Sequence, residues 1–174
     1  MRKFLIIVFF AGLLTSCDFI YGVLQKEGAQ EKKILGDVTI GVYSEQVELA
    51  QKLLAVNGFA PGKIDGKLGG MMRNAIARFQ EENNLKVTRF IDNATWEALN
   101  LYVESGLVED GEIDYATVQT ALKKAGLDPG KADGRPGPKT FQAVKSFQQK
   151  SGLVPDGRIG PKTLSKLNDV LLGN

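Results

Sequence analysis

Asp133-Gly-Arg-Pro-Gly-Pro-Lys-Thr140 returns 23 residues later as Asp156-Gly-Arg-Ile-Gly-Pro-Lys-Thr163. Each octet opens with Asp-Gly, suited to a tight turn because glycine takes positive φ without a steric cost. Each then places Gly-Pro where a helix should begin. Proline at the first helical position has its φ preset and lacks an N–H that would have no partner there. Between the two starts, Phe141, Val144 and Phe147 are spaced as the buried stripe of a helix, which Gly152-Leu153 should end. Upstream, Val118, Leu122 and Ala125 share one helical face ended by Gly126; downstream, Leu164, Leu167 and Val170 or Leu171 do the same. The unit reads as three short amphipathic helices.

A shift of 68 residues aligns Gln51–Leu99 with Gln119–Leu167 without a gap, and 16 of the 49 positions are identical. So dense an ungapped match marks an internal repeat. Leu49, Leu53 and Val56, then Met72, Ile76 and Phe79, then Trp96 and Leu99 are the expected core of the first copy. Trp96 stands where the second copy has Leu164. Asn84-Leu85 replaces Gly152-Leu153, and asparagine is the other residue that tolerates a left-handed helix end. The fold class that follows is all-α, two tandem three-helix domains over 45–101 and 112–174, joined by an acidic linker over 102–111 carrying Glu104, Glu109 and Asp110.

Ahead of the repeats, Arg2 and Lys3 precede an 11-residue apolar run, Phe4–Leu14, and then Leu14-Thr15-Ser16-Cys17. The run is too short for a membrane-spanning helix and fits a signal-peptide core over 1–16. Small residues before the chain's single cysteine resemble a lipobox, which makes Cys17 the expected lipidation site, with an ordinary secretory signal as the alternative. Residues 17–44 show no sustained helical spacing and are interrupted by Gly22, Gly28, Gly36 and Gly41, so they read as a flexible tether, with a short strand possible near Val38–Val42.

The 174 residues include no histidine. That excludes Ser-His-Asp and Cys-His catalysis and zinc sites built on His and Cys. A glycosidase using carboxylates alone remains formally open, but the acidic residues fall in turns or on expected solvent faces. Cleavage before Cys17 would remove two of the 22 basic residues and leave 20 against 20 acidic, so net charge implies no nucleic-acid partner. Asp128 and Asp133 lack the alternating ligands of an EF-hand, and no metal or cofactor is expected.

Gln119-x-x-Leu122, Asp133-Gly134-x-x-Gly137-x-x-Thr140, Ala143-Val144-x-x-Phe147-Gln148 and Gly152-Leu153-x-x-Asp156-Gly157-x-x-Gly160-x-x-Thr163 together resemble the peptidoglycan-binding domain 1 family. The first copy keeps Gln51-x-x-Leu54, Asp65-Gly66-x-x-Gly69, Phe79-Gln80 and Thr95, and departs at Gly70-Met71-Met72 and Thr88-Arg89-Phe90. The resemblance implies a three-helix fold found in cell-wall hydrolases and other envelope proteins, with peptidoglycan as partner. Signal, tether and repeats account for every residue, so a non-catalytic envelope lipoprotein linking a membrane to the wall is expected. The alternative is an envelope interaction scaffold or an accessory subunit of a wall hydrolase. Arg135, Lys139, Arg158 and Lys162 fall at equivalent places by two helix starts, in a stretch from Glu112 with 10 Lys and Arg against 6 Asp and Glu. Helix starts offer free N–H groups and a positive dipole end, which suits a carboxylate-bearing stem peptide. Asp133 and Asp156 are turn-forming side chains and also candidate contacts to amino-sugar or peptide groups. Gln80 and Gln148 are expected to pair with loop backbone, with a ligand-facing role as the alternative.

Overall fold

The computed structural model describes residues 25–173. The expected signal peptide over 1–16, Cys17 and the first part of the expected tether lie outside the described residues. The described residues are all-α apart from one two-stranded hairpin. A helix over 25–35 (α1) precedes α2 (Glu45–Val56), α3 (Gly70–Glu82), α4 (Asn93–Leu99) and α5 (Leu101–Glu104). The hairpin β1 (Val108–Glu109) and β2 (Glu112–Ile113) follows, then α6 (Tyr115–Lys124), α7 (Pro138–Lys150) and α8 (Pro161–Leu172). No helix among the described residues is long and apolar enough to cross a membrane.

Both three-helix units form where the punctuation demands. Gly137 and Gly160 are the N-caps of α7 and α8, with Pro138 and Pro161 at the first helical position. The first copy, lacking that second proline, starts α4 differently: the Asp92 carboxylate accepts from the Thr95 N–H at 2.9 Å and the Thr95 hydroxyl at 2.7 Å. The ends of α3 and α7 are alike despite different residues. Asn84 (φ 56°) and Gly152 (φ 70°) are left-handed. Behind them Leu85 and Leu153 donate their N–H to the carbonyls of Gln80 and Gln148, each at 2.8 Å, so helix-end acceptors are satisfied in the same way.

Phe79, Met72 and Ile76 of α3 are fully buried with Leu53 and Leu54 of α2, and Phe59 meets Phe79 edge-on at 5.2 Å. In the second unit Val118, Ala121 and Leu122 of α6 pack with Val144 and Phe147 of α7 and Leu164 and Leu167 of α8. The apolar core continues from one unit to the other as a single cluster. Two units of this size are marginal alone, so a shared core supports both.

Four expectations need correction. Residues 102–111 are not a loose linker: Tyr102, Leu107 and Val108 are buried, and the hairpin lies on α2 with Gly111 against the Lys52 side chain. Phe141 is 43% exposed, because the buried stripe of α7 runs through Ala143, Val144 and Phe147. Most consequentially, 25–35 is a helix docked on the first unit and not a flexible tether. Its buried face is Glu27, Glu31 and Leu35, four residues apart on successive turns. The strand considered near Val38–Val42 is also missing; Tyr43 alone forms a bridge, to Lys67.

Glu31 holds α1 in place. Its two carboxylate oxygens receive Arg73 Nη1 at 2.5 Å and Nη2 at 2.6 Å, and Oε1 also accepts from the Ile91 N–H at 2.8 Å. Lys86 reaches Glu27 at 3.2 Å, and Gln30 Oε1 accepts from the Asn93 N–H at 3.2 Å. Arg73 also lies over the Phe90 ring, 4.7 Å from its centroid. Truncating Glu31 to alanine would leave a largely buried guanidinium without its carboxylate and the buried Ile91 N–H without its acceptor. Denaturant titration is expected to show a loss of about 1–3 kcal/mol, accompanied by faster amide exchange at Ile91. Unchanged stability and protection would show that α1 is not held by this contact.

Candidate functional site

Each inter-helical loop of the repeats is fastened by one buried glutamine. Gln148, on α7, accepts the Gly157 N–H at 2.8 Å through Oε1 and donates from Nε2 to Asp156 Oδ1 (2.9 Å), the Arg158 carbonyl (2.8 Å) and Thr163 Oγ1 (3.1 Å). Gln119, on α6, does the same for the preceding loop. It accepts from Asp133 and Gly134 at 3.1 and 3.0 Å and donates to the Arg135 carbonyl and Thr140 Oγ1. Gln51 holds Asp65-Gly66-Lys67, and Gln80 holds Thr88-Arg89-Phe90. All four are at most 2% exposed. A carboxamide removed from water must have its donors and acceptor paired, and here the loop backbone supplies the partners.

The first copy keeps this arrangement without the glycine. Arg89 occupies the place of Gly157 and takes φ 66°, strained for a residue with a Cβ. Its N–H is held by Gln80 at 2.9 Å, its carbonyl accepts from Arg73 at 2.9 Å, and its guanidinium bonds Asn74 at 2.6 Å. Those bonds offset the strain.

The loop pinned by Gln148 forms one wall of an open groove of about 790 Å³ between the two units. Asp156, Arg158 and Lys162 line it from the second unit; Asn57, Phe59, Glu82, Asn83 and Tyr102 line it from the first. Pro161 comes close to Gly58 at the junction, where even one added carbon on that glycine would lie 2.7 Å from the proline ring. Of the six ligand-contact residues expected from sequence, three therefore meet in this groove. Asp133, Arg135 and Lys139 do not line it. Asp133 and Arg135 sit on the loop pinned by Gln119, where Asp133 Oδ1 accepts the Arg135 N–H at 3.1 Å, and exposed Lys139, in the first turn of α7, pairs with Asp128 at 3.3 Å. The residues of the first unit escaped sequence reading because they join the groove only through inter-unit packing. Asn57 and Asn83 carry a faint signal, as the residues that close α2 and α3. Among the described residues, no group of three or more His, Cys, Asp or Glu is placed to hold a metal ion.

The aspartates of these loops are tuned by the turns they make. The Asp156 carboxyl is held below its ordinary value by the Arg158 N–H, which it accepts at 2.8 Å, and by Gln148. Asp65 is lowered likewise, by the Lys67 N–H and Gln51. Both stay ionised across neutral pH, and neither is poised as a general acid.

Two outcomes are expected. Gln148→Ala would strand the buried Gly157 N–H and remove the bonds to the Asp156 carboxylate, the Arg158 carbonyl and the Thr163 hydroxyl, lowering stability by about 3 kcal/mol in denaturant titration. A loss near zero would mean that the loop needs no such fastening. Because the folded-state values of Asp65 and Asp156 are depressed, their stabilisation is complete above the ordinary carboxylate range, about pH 4. It fades as pH falls through the lowered values. An NMR titration should place the Asp156 carboxyl below that range, and a midpoint at or above it would contradict the geometry.

The putative peptidoglycan binding domain family matches the chain twice, over residues 43–99 and 111–167. Among characterised proteins, the chain is similar to the N-acetylmuramoyl-L-alanine amidase CwlM of Mycobacterium tuberculosis, 35% identical over 103 residues, covering 53% of this chain and 25% of the amidase. It is also similar to the carboxy-terminal processing protease CtpB of Bacillus subtilis, 37% identical over 84 residues, covering 48% of this chain and 17% of the protease. The chain thus spans a quarter or less of either relative. No solved structure matches it at a significant level. Two copies of the family fill most of the described residues with the same glutamine-fastened three-helix unit, and the chain belongs to the putative peptidoglycan binding domain family.

Proposed function

We propose that the chain is a non-catalytic wall-binding lipoprotein, anchored to a membrane through acylated Cys17 and gripping peptidoglycan through its second repeat. Membership of the family supports cell-wall binding and a place in the cell envelope. The observation that carries the choice of repeat is the loop pinned by Gln148 and the α8 start that follows it, which present exposed Arg158 and Lys162 at a groove. Asp133, Arg135 and Lys139 would flank it as a second contact on the same repeat. The equivalents of Lys139, Arg158 and Lys162 in the first repeat are Met71, Phe90 and Ala94, so it lacks that set of cations.

A second reading, an accessory subunit or scaffold for a wall hydrolase, draws on the likeness to an amidase and a protease. In it the same repeats would bring a separately encoded catalytic protein to its substrate.

The direct test is to pellet isolated sacculi with the full chain. Binding at low salt is expected, weakening as salt screens exposed contacts. Replacing Arg158 and Lys162 together should reduce it several-fold, since each exposed pair contributes modestly. Full retention in the supernatant would end the wall-binding reading. Mass spectrometry of the membrane fraction should find acyl chains on Cys17, and an unmodified cysteine there would end the anchoring part.

A further inference from the structure

The 68-residue correspondence maps the contact between α1 and the first repeat onto a wall of the open groove in the second, where Pro161 packs against Gly58 and Tyr102 of the first unit. Arg73, Lys86, Phe90, Ile91 and Asn93, which meet α1, correspond to Phe141, Val154, Arg158, Ile159 and Pro161. Val154, Arg158 and Pro161 line the groove. Phe141 is 43% exposed and Val154 79%, and no acceptor for the Ile159 N–H is found among the described residues. In the first repeat an Arg and a Phe stand at two of these positions and stack; the second repeat carries the same two side chains with their places exchanged.

In the first repeat this surface holds a carboxylate, that of Glu31, between a guanidinium and the Ile91 N–H. We infer that Glu31 occupies intramolecularly the position that a ligand carboxylate takes on the second repeat. There Arg158 and the Ile159 N–H receive the carboxylate of a peptide, and Phe141 is the apolar neighbour. A charge-assisted pair with a guanidinium and a backbone N–H is a strong way to hold a carboxylate in a half-buried place. Two consequences follow. The specificity of the second repeat is for a free peptide carboxylate, not for sugar hydroxyls. The first repeat is already filled, so the copies do not act as two equivalent sites.

This inference rests on the wall-binding reading and adds which chemical group of the wall is recognised. It is tested with the full chain on two probes: isolated sacculi, and the same sacculi with their carboxyl groups converted to amides by carbodiimide and ammonia. Amidation should lower the pelleted fraction several-fold. Arg158→Gln should cause a similar loss on untreated sacculi and no further loss on amidated ones. Its fold is protected because the Gln148 fastening uses the Arg158 backbone and not its side chain. Lys123→Gln removes the same charge from α6 and should leave pelleting unchanged. Equal pelleting of both probes, or an equal loss in Arg158→Gln and Lys123→Gln, overturns the carboxylate site while wall binding stands. Absence of pelleting on untreated sacculi overturns the wall-binding reading itself.

Discussion

A carboxamide buried in an apolar core must satisfy its hydrogen-bonding groups or cost several kcal/mol. Four glutamines, Gln51, Gln80, Gln119 and Gln148, impose that condition here, and each meets it with the backbone of the loop that follows its helix. The loops are consequently anchored to the core and not merely strung between helices. Their outward side chains inherit that rigidity, so Arg158 and Lys162 project from a fixed frame. A pre-ordered loop binds with less entropy to lose, which matters where each exposed contact is weak.

The same frame is used asymmetrically. In the first repeat, the surface beside the Gln80 loop is covered by α1, and the contacts that close it are charged: Glu27 to Lys86, and Glu31 to Arg73 and Ile91. In the second repeat the corresponding surface is a wall of the open groove, faced by Asn57, Asn83 and Tyr102 of the first unit, and Val154 there and Phe141 on α7 stay exposed. Divergence of the first copy at Arg89 and Phe90 is therefore not decay. Arg89 carries a strained backbone that Gln80 and Arg73 hold, and Phe90 gives Arg73 a ring to lie on. The first copy has been fitted to a partner within its own chain.

Most of the fold was legible in the sequence because it is written in Gly, Pro, Asn and apolar spacing. The starts at Pro138 and Pro161 and the left-handed ends at Asn84 and Gly152 could be read directly. The structural role of Gln80 and Gln148 also followed, from their place beside a core phenylalanine. Helix α1 was not legible, because its buried face is Glu27 and Glu31, and hydrophobic periodicity has nothing to detect in carboxylates. Phe141 was misplaced for a related reason: its spacing fits a buried stripe, but among the described residues no element covers it. The groove was half legible. Repetition marked Asp156, Arg158 and Lys162, whereas Asn83 and Tyr102 reach it through packing between units, which no local pattern encodes.

In the proposed mode of binding, one rigid loop of the second repeat meets the ligand while its counterpart in the first is closed. Amide-resolved NMR of the full chain titrated with soluble wall fragments bearing free carboxylates would test this most directly. Shifts should concentrate at Arg158, Ile159 and Lys162 and leave Arg89, Phe90 and Ile91 unmoved. Equal shifts at the two loops, or shifts confined to residues outside both, would contradict it.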